Sequence, residues 1–109
     1  MQDFKNLTVW EKSHAFVLDI YRTTKSFPKE ETYALTSQMR RAAVSIPANI
    51  AEGTCRSSDI DFARFLQISL GSLSEVEYYL LLSLDLEYLE KQTQHKLNQN
   101  LVEIKRLLS

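Results

Sequence analysis

The 109-residue sequence has one cysteine, two glycines and two prolines. Each scarcity removes a class of protein. A single thiol, Cys55, forbids an intrachain disulfide and a two-cysteine metal site, and it suits a reducing compartment. So few glycines and prolines leave little turn chemistry for a sheet with frequent reversals, while 44% hydrophobic residues favour an all-helical domain. No apolar stretch approaches the roughly 20 residues that span a bilayer. The start, Met1-Gln2-Asp3-Phe4-Lys5, lacks an apolar signal region, so the expected location is the cytoplasm. An excess of one charge is missing too. With 13 basic and 14 acidic residues the formal charge is -1, so a phosphate-binding surface must come from segregated charge. The length fits one domain, residues 1–109, around one core.

What is present reads as four helices. Thr8-x-x-Glu11 matches a capping box and predicts a first helix from about Val9 to Lys25, with Trp10, Phe16, Val17, Ile20 and Tyr21 on its apolar face. Phe27-Pro28 marks a turn. A second helix is expected from about Glu30 to Glu52, bent at Pro47 and ended by Gly53 in the left-handed conformation. Ser58-x-x-Asp61 opens a third, to about Leu86, and Leu97, Leu101, Ile104 and Leu108 outline a fourth. On the third helix Phe62, Leu66, Ser69, Leu73, Val76, Leu80 and Leu84 make one bundle seam. Tyr78 and Leu82 project nearly opposite it, with Gly71 on their side. A helix apolar on two sides has two sides to bury, which predicts self-association, although scattered surface apolar groups are also common.

Residues 38 to 56 break local helix rules. Pro47 falls inside a helical pattern, where it removes a backbone donor and costs about 3 kcal/mol. Small residues surround it, Ala42, Ala43, Ser45, Ala48 and Ala51, along with the polar Arg40, Arg41, Asn49, Glu52 and Arg56. The string Arg40-Arg41-Ala42-Ala43-x-Ser45-Ile46-x-x-Asn49-Ile50-Ala51-Glu52-Gly53 resembles the 23S rRNA intervening-sequence protein family, also called four-helix-bundle proteins. Phe4, Leu7, Val9-Trp10, Phe27-Pro28, Tyr33, Leu35 and Phe65-Leu66-x-Ile68-x-x-Gly71-Ser72-Leu73-x-Glu75-x-Glu77 extend the likeness over nearly the whole chain. The resemblance implies an up-and-down antiparallel four-helix bundle that assembles into a homopentameric ring. Genes of that family were first noticed as reading frames inserted in bacterial 23S rRNA genes, and its biochemical role is poorly defined. With the ring in view, Pro47, Gly71, Tyr78 and Leu82 are the expected oligomer interface.

Two readings of the polar residues stand side by side. In the structural one, Arg40 or Arg41 pairs with Glu52, Glu75 or Glu77, within a network that includes Asn49, and fixes the second helix against the third or against a neighbouring subunit. In the functional one, Arg40, Arg41 and Arg56, repeated around a ring, present a concentrated positive surface to RNA or DNA phosphates. The rival to both is a scaffold for a protein partner. Arg22, Lys25 and Lys29 read as solvated charge, and Cys55 as a small turn residue. His14 and His95 lack neighbours at metal-ligand spacing. Glu75 and Glu77 point to different sides of their helix, and no nucleophile elbow or phosphate loop is present. No metal, cofactor or catalytic residue is expected, and the chain reads as non-enzymatic.

Overall fold

The computed structural model describes residues 3–109, and these form α1 (Thr8–Thr24), α2 (Leu35–Thr54), α3 (Asp59–Asp85) and α4 (Lys91–Leu108). No strand occurs among the described residues. Each helix packs on its neighbours in the order α1, α2, α3, α4 and back to α1, the arrangement of a four-helix bundle. The 27 residues of α3, about 40 Å at 1.5 Å per residue, set the long dimension of a 44 × 25 × 19 Å molecule. No described helix is long and apolar enough to cross a membrane.

The core follows the expected periodicity. Phe16 and Ile20 from α1, Met39, Ile46 and Ile50 from α2, Leu73, Val76 and Leu80 from α3, and Leu101 and Ile104 from α4 are buried together. Ser69 joins the α3 seam fully buried, and Leu66, Leu82 and Leu108 pack against the cluster from its edges. Leu82 is thus held by its own subunit, which corrects its expected place beside Tyr78 as a side chain without a partner. Tyr78 itself is 57% exposed.

Contact is most extensive between α2 and α3, and small residues make it close. The Ser69 hydroxyl donates to the Ile46 carbonyl at 2.9 Å, a side chain of one helix reaching the backbone of the next. The Ser72 hydroxyl meets that of Ser45 at 2.8 Å, and the Asn49 amide donates to both the Ser45 hydroxyl at 2.9 Å and the Ser45 carbonyl at 2.8 Å. Pro47 falls between these residues in the sequence and is buried within the subunit, and α2 runs unbroken through it.

Three expected boundaries move. Leu7, not Thr8, is the N-cap of α1 and makes no side-chain cap, because a 3-10 turn at Phe4–Asn6, capped by Asp3, feeds the chain into the helix one residue early. The second helix does not start at Glu30. Lys29–Glu31 form a 3-10 turn, Ala34 takes a non-helical conformation (φ -122°, ψ -106°), and α2 begins at Leu35, whose amide donates to the Glu31 carboxylate at 3.3 Å. Nor does Gly53 stop α2 in a left-handed turn: its φ is not positive and it is helical. Its role is proximity, since a Cβ there would stand 2.7 Å from Phe62 Cδ1 and 3.1 Å from Phe65 Cβ. Ser58 caps α3 as expected, accepting from the Asp61 amide at 3.1 Å.

The left-handed terminator occurs instead after α3. Glu87 has φ 65°, its amide donates to the Leu84 carbonyl and the Tyr88 amide to the Ser83 carbonyl, both at 2.9 Å. That pair of bonds is a Schellman motif with glutamate where glycine is usual. The strain is tolerated because the turn delivers Tyr88 onto Phe27, with ring centroids 5.5 Å apart, and onto Glu31, which accepts from the phenol at 2.8 Å. Left-handed backbone costs a non-glycine residue about 1–2 kcal/mol, partly offset by glycine's greater freedom when unfolded. Glu87→Gly is therefore expected to stabilise the fold by about 0.5–1 kcal/mol, read as a higher urea midpoint. A lower midpoint would mean that the Glu87 side chain contributes more than its backbone strain costs.

Candidate functional site

Arg40 and Arg41 lie on α2 and Arg56 in the turn after it, and they find partners that the sequence does not announce. Arg40 reaches the end of α1: its Nε donates to the Thr24 hydroxyl at 2.8 Å and a terminal nitrogen to the Tyr21 carbonyl at 3.3 Å. Its guanidinium carbon also lies 4.6 Å from the centre of the Tyr21 ring. The last carbonyls of a helix lack intrahelical partners and carry the negative end of its dipole, so a cation at Tyr21 and Thr24 closes α1. Thr24, buried, donates in turn to the Ile20 carbonyl at 2.8 Å.

Arg41 is exposed and, among the described residues, bonds only along its own helix, to the Gln38 side chain at 3.2 Å. Arg56 makes an exposed ion pair with Glu52 at 2.7 Å and lies over the Phe65 ring, 4.7 Å from its centre. About 20 Å of helix axis separates Arg41 from Thr54, the last residue of α2, at 1.5 Å per residue, and Arg56 lies beyond that end in the turn to α3. The three arginines therefore do not converge within one subunit.

The expected arginine–glutamate bridges between helices are replaced by others. Neither Arg40 nor Arg41 pairs with Glu52, Glu75 or Glu77 among the described residues. Glu75 accepts from the Tyr79 phenol at 2.9 Å, and Glu77 pairs with Lys105 of α4 at 3.3 Å. Burial, then the bond to Glu75, pushes the Tyr79 phenol above its ordinary range. Asn49 is tied to Ser45, as described above. The network expected from the sequence is thus several separate contacts, and among the described residues those of Arg40 with α1 and Glu77 with α4 are the ones that join different helices.

A groove opens beside Arg40 and Arg41, with a volume of about 430 Å³. Tyr21 of α1, Thr32 and Tyr33 of the turn before α2, and Thr36, Ser37 and Val44 of α2 line it with them. Tyr33 is 96% exposed. Thr36 is only 7% exposed, and its buried hydroxyl has no hydrogen-bond partner. Such a group ordinarily costs about 1–3 kcal/mol. The sequence does not announce this site, because Tyr33 and Thr36 fall within the stretch expected as continuous helix and Tyr21 falls on the apolar face of the first helix. No group of three His, Cys, Asp or Glu side chains that could hold a metal ion occurs among the described residues.

The likeness noted in the sequence is decided over its full length. The model of the 23S rRNA-intervening sequence protein family matches residues 5–109. The chain belongs to that family. It is also similar to a protein of unknown function from the S23 ribosomal protein family of Bacteroides thetaiotaomicron, known from a crystal structure, with a TM-score of 0.86 at 32% identity. The likeness covers 93% of this chain and 94% of that one. No curated protein matches the chain. The family and the all-α four-helix fold thus stand together, while the family gives no activity from which a role for the arginines follows.

The contrast between neighbouring arginines is testable. Removing the two bonds and the ring contact of Arg40 with Arg40→Met should cost about 1–3 kcal/mol, since Thr24 and the end of α1 lose their partner. Arg41→Gln should change stability by less than about 0.5 kcal/mol. Urea unfolding of both variants checks this, and equal costs would contradict the assignment of Arg40 to α1.

Proposed function

We propose that this member of the 23S rRNA-intervening sequence protein family is a non-enzymatic, cytoplasmic bundle whose first property is assembly with copies of itself, through the outer side of α3. The observation that carries the proposal is the set of exposed apolar side chains on a helix whose inner side is already spent on the core. Ile68, Tyr78, Leu81 and Leu86 are 45%, 57%, 49% and 45% exposed. Gly71 supports it: a Cβ at that position meets nothing within 4 Å, so within the subunit nothing offsets the roughly 1 kcal/mol that glycine costs inside a helix. Beneath a second copy the same glycine permits a close approach of backbones. Pentameric closure is the count that the family resemblance implies.

The interface differs from the one read in the sequence. Pro47 is buried by its own subunit and Leu82 packs on its own core, so Tyr78 and Gly71 are the members of that set that remain at the surface. Arg40, Arg41 and Arg56 as a single phosphate surface fit less well, because Arg40 closes α1 and Arg56 is paired with Glu52. One observation keeps nucleic-acid binding as a second reading: Arg41 is exposed, with no carboxylate in salt-bridge contact among the described residues. A protein partner on the α3 face is the rival to assembly.

Light scattering at low micromolar concentration should give a multiple of the 12.6 kDa subunit mass. Tyr78→Glu should lower that mass while leaving helical content unchanged, because the ring is largely outside the core. A monomeric mass for the unaltered protein would overturn assembly and leave the α3 face to another protein. An unchanged oligomer in Tyr78→Glu would move the contact elsewhere.

A further inference from the structure

We propose that the groove between the end of α1 and the start of α2 binds a nucleotide unit, its phosphate held by Arg41 and Arg40 and its base stacked on tyrosine. The proposal rests on the second reading above, nucleic-acid phosphate held by α2, and is independent of assembly through α3. Its residues come from two helices and the turn between them: Tyr21 from α1, Tyr33 from the turn, and Thr36, Ser37, Arg40 and Arg41 from α2.

Four features converge on that chemistry. Two guanidinium groups border the groove and no carboxylate lines it. Arg40 uses its Nε and one terminal nitrogen on α1, which leaves its other terminal nitrogen for a ligand.

Aromatic rings supply the second half. Tyr33 stands 96% exposed, and the Arg40 guanidinium carbon lies 4.6 Å from the centre of the Tyr21 ring. Every base has a face that stacks on such a ring, and Arg beside it adds a cation–π contribution. Thr36 also lines the groove, but its hydroxyl oxygen is closed off beneath the surface, where it has no hydrogen-bond partner among the described residues, so it adds no contact to a ligand in the groove. The groove volume, about 430 Å³, falls within the 300–1,000 Å³ typical of ligand sites.

The chemistry is shared by a free nucleotide and by one unit of a single strand. Fluorescence anisotropy of a fluorescein-labelled oligothymidylate with the full-chain protein separates them, using thymidine monophosphate and inorganic phosphate as competitors. Binding of the strand is expected, weakened roughly tenfold in Tyr33→Ala by loss of stacking. Arg41→Gln should lower the slope of log affinity against log salt by about 0.7. Arg56→Gln, at the far end of α2, should change nothing. Competition by thymidine monophosphate at micromolar concentration would support a free nucleotide as the ligand, and strand binding without such competition would support the single strand. Inorganic phosphate competing as well as thymidine monophosphate would overturn the proposal, since the base would then contribute nothing. So would strand binding that survives Tyr33→Ala and Arg41→Gln but falls in Arg56→Gln, an outcome that keeps nucleic-acid binding and moves it elsewhere. Absence of any binding at low salt would overturn both the groove and the reading it rests on.

Discussion

The rest of the structure depends on the closeness of α2 and α3. A serine hydroxyl of α3 bonds directly to a backbone carbonyl of α2, from Ser69 to Ile46 at 2.9 Å, and this is reached only where the facing side chains are small. Ala42, Ala43, Ser45 and Gly53 supply that smallness from one side and Ser69 and Ser72 from the other. Pro47 forfeits one bond of α2 and is buried within the subunit on the stripe that carries Arg40, while Asn49, Ser45 and Ser72 make three hydrogen bonds on the side toward α3. The remaining helices close over this pair, α1 onto α2 and α4 onto α3.

Closeness also explains why the surface carries what it does. A core built on small residues and short contacts consumes one side of α3, and the apolar residues beyond it, Tyr78 and Leu81 among them, add nothing to the subunit's interior. At the other end, Arg40 is drawn to the end of α1 because the unsatisfied carbonyls there attract a cation, and in crossing to Tyr21 and Thr24 it helps shape the groove under Arg41. A stabilising contact and a candidate site therefore share one side chain.

Much of this was legible in the sequence, for physical reasons that differ by element. The α3 seam was legible because a 27-residue helix repeats its pattern enough times to fix a face, and Ser58 because a cap acts within three residues of itself. Gly53 was misread because a glycine near a helix end has two uses, a left-handed turn or a close approach, and only the position of Phe62 and Phe65 decides between them. Glu87 was missed because its conformation is imposed by the docking of Tyr88 on Phe27 and Glu31, residues 57 or more positions away in the chain. The arginine partners fail for the same reason: Thr24 and Tyr21 are 16 and 19 residues from Arg40, so no local spacing records them. The orphaned hydroxyl of Thr36 has no sequence signal at all.

If the α2–α3 contact is the constraint on which the bundle rests, it should be the last part to open. Native-state amide hydrogen exchange reads this directly, residue by residue, since the most protected amides report the unit that opens only with global unfolding. The slowest amides are expected around Ile46 and Ile50 in α2 and from Leu73 to Leu80 in α3, with those of α4 exchanging through smaller, earlier openings. Slowest exchange in α1 and α4, with α2 and α3 opening first, would contradict the account.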